Sequence, residues 1–132
     1  MNETAAQYAE YLRPDWAPPS WIFGPVWSVL YAVIIVSYGY AGWLYWQGRL
    51  PFVVLLPFIL NIIFNLAFTP LQFGLQSNIL AAADILLVLG TLIWALYAVW
   101  PYAPWVSYAN LPYLAWVCFA TVLQLTITRL NW

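Results

Sequence analysis

Residues 22–46, IFGPVWSVLYAVIIVSYGYAGWLYW, run without a single charge and end at Gln47-Gly48-Arg49. A hydrocarbon core of about 30 Å takes about 20 helical residues to cross, so this stretch reads as a transmembrane helix. Pro25 falls in its first turn, where a missing N–H costs little, and therefore reads as a start signal. Downstream the pattern repeats. A connection of about five residues forces the next helix, expected over residues 51–73, to lie antiparallel to the first. Pro57 lies inside that segment and predicts a kink, tolerated in lipid when a neighbour satisfies the freed carbonyl. Residues 74–78 read as a turn, 79–100 as a third helix, and 111–130, with Pro112 in its first turn, as a fourth. Between the last two, residues 101–110 (PYAPWVSYAN) are uncharged, aromatic and Pro-rich, which suits the headgroup level. The expected fold is an all-α membrane protein, a bundle of four transmembrane helices forming a single domain over residues 1–132. Residues 1–21 are its polar N-terminus and a Trp-Pro-Pro loop.

Composition supports that reading and excludes several function classes. Only three basic and four acidic residues occur among 132, and 66 % of the chain is apolar with a mean hydropathy of +0.83. A water-soluble fold would have too little polar surface, so lipid is the solvent for most of the chain. The chain has no His and one cysteine, Cys118, which removes a disulfide framework and any Cys/His zinc or haem site. All three basic residues are arginines, too few for the basic footprint that nucleic-acid binding needs. Residues 1–16 lack the basic and apolar regions of a signal peptide and are expected to remain on the protein. Arg13 and Arg129 fall on one side of a four-span bundle and Arg49 on the other, so the N- and C-termini are expected to be cytoplasmic.

Trp and Tyr gather at the ends of the apolar blocks, as Trp16 and Trp21, Tyr45 and Trp46, and Trp100 through Tyr108. This is the interfacial belt of amphipathic rings. Trp27, Tyr31, Trp94 and Trp116 fall inside a span and need partners for their N–H or O–H groups. They read either as interior packing or as ligand lining, in preference to lipid contact. On the second helix Asn61, Asn65 and Thr69 recur every four residues, with Gln72 close by, so they form one polar stripe. Buried amides must be hydrogen-bonded. The stripe is therefore interhelical glue or the wall of a pocket. Asp84, the one carboxylate of the membrane region, must lie near the interface, be protonated, or pair with the Asn stripe or a helix N-terminus. Gln124, Thr121, Thr126 and Thr128 make a weaker polar group on the last helix. The sequence contains no paired carboxylate, no Ser–Lys or Cys–His pair and no phosphate loop, so hydrolase or transferase chemistry is not expected. A porphyrin-degrading activity through Trp chemistry would need none of these. The interior suits a flat, apolar ligand.

The run Tyr11 to Tyr31 (YLRPDWAPPSWIFGPVWSVLY) resembles the hallmark of the TspO/MBR family, the tryptophan-rich sensory proteins and mitochondrial translocator proteins. Residues 61–75 (NIIFNLAFTPLQFGL), Asp84-Ile85-Leu86, and Pro112 to Trp116 with Phe119-Ala120-Thr121 are similar to later helices of the same family. The resemblance implies a polytopic, often dimeric protein that binds porphyrins and, in mitochondrial members, cholesterol and benzodiazepine-type drugs. By motif position, Trp27 and Trp116 match cavity tryptophans, and Trp16 to Trp21 match a loop covering the pocket. Asn65 and Asp84 match polar cavity positions. The ligand-binding set implied is Trp16, Trp21, Trp27, Tyr31, Asn65, Phe68, Asp84 and Trp116, with no metal and a porphyrin or related tetrapyrrole as the candidate ligand.

Three departures qualify what is carried over. The family norm is five spans, whereas only about 15 polar residues precede the Trp-Pro-Pro loop here. The expected bundle is thus short of the first helix, with a groove for lipid, a second copy or another membrane helix. Phe68, Thr69 and Gln72 stand where the family usually has Trp-Ser and Phe, and Gln124 where it usually has Asn. The last helix lacks the Tyr of a cholesterol motif, so cholesterol binding is not expected. Two functions follow. One is a sensory or transport-related protein holding a tetrapyrrole in an aromatic interior. The other is an accessory subunit of a larger, pigment-containing membrane complex, docked through the vacant first-helix position. The implied location is a bacterial inner membrane in preference to a mitochondrial outer membrane.

Overall fold

The computed structural model describes residues 20–71 and 78–130, the side chains of Ser20 and Thr69 excepted. Among the described residues every regular element is helical. A 3-10 turn, Ser20–Ile22, leads into α1 (Phe23–Trp46), followed by α2 (Phe52–Thr69), α3 (Asn78–Val99), the short α4 (Pro104–Ala109) and α5 (Leu111–Leu130). Helices α1, α3 and α5 are each long and apolar enough to cross a membrane. The chain is an integral, multi-pass membrane protein.

The second expected span comes out shorter. Its apolar part is Phe52–Phe68, about 25 Å at 1.5 Å per residue, at the lower limit for crossing. The remainder of the expected segment runs into residues 72–77, outside the described residues, together with Gln72 of the polar stripe. Pro57 lies inside α2 and is fully buried. The 101–110 connection holds α4, with Pro104 at its first position. A proline there is already set for helix and loses no hydrogen bond.

Local chemistry sets the ends of α1. It stops in a Schellman turn: Gly48 N–H donates to the Tyr45 carbonyl at 3.0 Å and Arg49 N–H to the Leu44 carbonyl at 2.9 Å. That closure requires a left-handed residue, and Gly48 has φ +73°. An added Cβ at Gly48 meets nothing within 4 Å, so the cost of Gly48→Ala is purely conformational. It is expected to destabilise by about 1 kcal/mol, read as a lower midpoint in denaturant unfolding from detergent micelles.

Helix α3 is the centre of the bundle, packed between α2 and α5, with α1 laid across α2 and α4. Its buried face carries Ala81, Ile85, Val88, Leu92, Ala95 and Val99. Ala41 of α1, Phe58 of α2, Val106 of α4, and Tyr113 and Val117 of α5 are fully buried with it. The outward positions are equally apolar: Ile35, Val36, Ile63, Leu66, Leu86, Ile93 and Val122 are all exposed. Such residues are stable only against acyl chains. Inside and outside therefore differ in where the polar groups sit, and not in hydrophobicity.

At the end of the bundle where α1 gives way to α2, the aromatic belt is built by contact. Tyr40 meets Trp105 at 5.0 Å, Trp100 meets Tyr108 at 4.9 Å, and Tyr45 meets Phe52 at 5.9 Å between ring centroids. The Arg49 guanidinium lies 5.8 Å above Trp43. A cation held against a ring at that depth marks the headgroup boundary.

Candidate functional site

The polar stripe of α2 is the organising element of the interior. Asn61, at the middle of α2, is buried. Its Oδ1 accepts from the hydroxyls of Tyr38 (2.8 Å) and Tyr113 (3.1 Å), and its Nδ2 donates to the Val88 carbonyl (3.0 Å) and Thr91 Oγ1 (3.2 Å). One amide thereby joins α1, α2, α3 and α5. One turn along, Asn65 Oδ1 accepts from the Tyr31 hydroxyl at 2.9 Å, while its Nδ2 donates to the Tyr113 hydroxyl at 2.7 Å. Tyr113 is thus shared by both amides, so the two turns of the stripe form one network. Amides and phenols satisfy each other here because no water is available to do so.

A second polar set fastens α4. The Ser107 hydroxyl donates to the Leu96 carbonyl at 2.7 Å. Asn110 Nδ2 donates both to Ser37 Oγ (2.9 Å) and to the Val106 carbonyl (2.8 Å). Nothing in the sequence pattern singled out Tyr38, Tyr113, Ser37 or Asn110. Their signal was present only as polar atoms in positions that helical spacing turns inward.

Around the Asn65 end lies an aromatic cluster. Trp27 stacks on Tyr31 with ring centroids 5.4 Å apart and meets the edge of Tyr113 at 6.3 Å. Trp116 lies between Phe23 (5.7 Å) and Phe119 (5.6 Å). Its indole Nε1 is buried without a hydrogen-bond partner. Trp27, Phe68 and Trp116 are all half-buried against the main core. Of the expected ligand set, Trp27, Tyr31 and Asn65 are therefore joined directly, and Trp116 stands on the same α1–α5 seam.

The other members are placed differently. Trp21 is 71 % exposed, and Trp16 lies outside the described residues, as does the side chain of Thr69. Asp84 is buried, but the amides of Asn61 and Asn65 are taken up by Tyr31, Tyr38, Tyr113, Val88 and Thr91 and not by its carboxylate. Its Oδ2 has no partner. It shares the face of Val88 and Thr91, four and seven residues on. Trp94, expected inside the bundle, is 41 % exposed. The buried face of α3 passes through Thr91, Leu92 and Ala95, and the 100° step per residue turns position 94 outward. On the last helix, Gln124 Nε2 donates to Thr128 Oγ1 at 3.1 Å, while Thr121 and Thr126 donate back to carbonyls four residues earlier.

Comparison with known proteins agrees with this architecture. The model of the TspO/MBR family matches residues 1–130. The chain is 35 % identical to the human translocator protein over 106 residues, 73 % of this chain and 59 % of that protein. It is 35 % identical to the tryptophan-rich protein TspO of Bacillus cereus over 83 residues, 58 % of this chain and 48 % of that one. The membrane protein YtaB of Bacillus subtilis is 37 % identical over 127 residues, 94 % of this chain and 79 % of its own length. The chain spans about half the length of the translocator and TspO relatives it matches. With nearly its whole length, residues 1–130, matched by one family model, this chain belongs to the TspO/MBR family.

Proposed function

We propose that the protein binds a flat hydrophobic ligand of the porphyrin or tetrapyrrole kind at the aromatic cluster between α1 and α5, in a sensory or transport-related regulatory role. The observation that carries this reading is the Trp116 indole N–H, buried between two rings with no acceptor. A buried donor without a partner costs about 1–3 kcal/mol, and an acceptor on a bound ligand would recover it. Trp27 and Tyr31 supply stacking surface beside it, while Asn65 fixes the Tyr31 hydroxyl. Trp27 packs on Tyr31 and Tyr113, and Trp116 on Phe23 and Phe119, so binding requires these rings to part. The test is a protoporphyrin titration of the purified protein followed by tryptophan fluorescence. Saturation at about one porphyrin per chain, with affinity reduced about tenfold in Trp27→Ala, is expected. Weak, non-saturable binding that Trp27→Ala leaves unchanged overturns the site.

A second reading, an accessory subunit or a homodimer, rests on α1. It is the least buried of the three long helices, and its face bearing Ile35, Val36, Gly39 and Trp43 is open. A helix of another subunit, or a second copy, would cover that face. Isolation of a colourless protein within a stable set of other membrane subunits would favour the accessory role over the ligand-binding one.

A further inference from the structure

The last turn of α5 meets the first turn of α3. Thr128 donates its hydroxyl to the Asn78 carbonyl at 3.1 Å and accepts from Gln124 at 3.1 Å, which ties the two helix ends together. Beside this tie a groove of about 470 Å³ is lined by Ile79, Ala82, Leu125, Thr128 and Arg129. That volume lies within the range of about 300–1,000 Å³ typical of small-molecule sites. The Thr128 hydroxyl is committed to Asn78, so the walls offer an apolar surface and one cation. Ile79 and Leu125 are 56 % and 42 % exposed, so the groove opens sideways into lipid. Arg129 is exposed in the last turn of the 20-residue α5, which puts its guanidinium at headgroup depth. Among the described residues it has no carboxylate partner.

An occupant must lay a hydrocarbon chain along Ile79, Ala82 and Leu125 and present an anion at the level of Arg129. A neutral apolar molecule leaves the guanidinium unpaired, and a free anion leaves the apolar wall uncovered. We propose that the groove is a binding site for one anionic glycerophospholipid, its acyl chain against the α3–α5 wall and its phosphate on the Arg129 guanidinium. The site is separate from the aromatic cluster. Leu123 and Ile127 pack with Phe23 and Phe119, whereas Leu125 and Arg129 lie two residues on, about 200° around the helix. Lipid on one face of α5 and tetrapyrrole on the other can thus be disturbed independently.

The experiment is native mass spectrometry of the detergent-purified protein titrated with phosphatidylglycerol or with phosphatidylcholine of identical chains. One phosphatidylglycerol is expected to be retained in preference to phosphatidylcholine. Arg129→Gln is expected to weaken phosphatidylglycerol about fivefold and to leave phosphatidylcholine and porphyrin binding unchanged. Leu125→Trp, which fills the groove from an exposed position, is expected to reduce both lipids without lowering thermal stability. Equal retention of the two lipids by the unmodified protein, or an unchanged phosphatidylglycerol affinity in Arg129→Gln, overturns the proposal. Displacement of the lipid by millimolar inorganic phosphate also overturns it, because the groove would then be a free-anion site.

Discussion

Asn61→Ala is expected to destabilise the protein by about 2–4 kcal/mol, the largest stability loss anticipated from a single polar substitution. Four hydrogen bonds converge on this side chain, from Tyr38 and Tyr113 and toward Val88 and Thr91. Interhelical hydrogen bonds in membranes average about 0.6 kcal/mol, so four at that average sum to about 2.4 kcal/mol, within the range given. Truncation also strips the Tyr38 hydroxyl of its acceptor deep in the bundle, where no water replaces it. A cavity alone would not account for this. Asn61→Leu, which restores the volume, is therefore expected to be no better than Ala, whereas a purely steric role predicts recovery. Equilibrium unfolding by SDS titration in mixed micelles, following tryptophan fluorescence, reads the difference. Tyr38→Phe is expected to lose only about 1 kcal/mol, and less still in an Asn61→Leu background, because the partners act as a unit. Full stability in Asn61→Leu would mean that the network is dispensable and that α3 is held by apolar packing alone.

The same residue shows how far the sequence could be read. Apolar runs, those of α1 and α5 with a proline in the first turn and that of α3 carrying the single charge of Asp84, lie within one residue of the observed helix bounds at each end, because in lipid the apolar length and the helix length coincide. The four-residue spacing of Asn61 and Asn65 likewise pointed inward, since an amide has no favourable contact with acyl chains. Their partners were not legible. Ten tyrosines spread through the chain carry no period; Tyr31 stood out by its place inside a span, but its pairing with Asn65, and the choice of Tyr38 and Tyr113, appear only once the helices pack. Helix α4 was hidden for a related reason. Two prolines in ten residues read as a connection at the headgroup level, yet Pro104 sits at the first helical position, and the anchors from Ser107 and Asn110 are tertiary. Trp94 failed in the opposite sense. An indole inside a span was expected to seek the interior, but the helical phase of α3 turned it to lipid, and on a helix apolar on every side apart from Asp84 and Thr91 no hydrophobic stripe reveals that phase.

Trp116→Ala is expected to reduce porphyrin affinity by at least tenfold, and its comparison with Trp116→Phe separates two causes. The indole supplies a ring between Phe23 and Phe119 and a buried N–H with no partner. Phe keeps most of the ring contact and removes the donor. If a bound tetrapyrrole accepts from that N–H, Trp116→Phe loses one hydrogen bond, worth about 0.5–1.5 kcal/mol, and affinity falls about two- to tenfold. In the ligand-free protein the same change removes an unsatisfied donor, so its stability is expected to hold within about 1 kcal/mol despite the smaller ring. The two effects therefore diverge: the ligand-induced rise in Tm shrinks while the ligand-free Tm stays nearly constant. Trp116→Ala is expected to lower both, because it opens the α1–α5 seam as well. A Trp116→Phe protein that binds porphyrin as tightly as the parent would assign Trp116 to packing and move the site away from the indole N–H. The polar anchor of the ligand would then have to be sought at Asn65 or at the bare Oδ2 of Asp84.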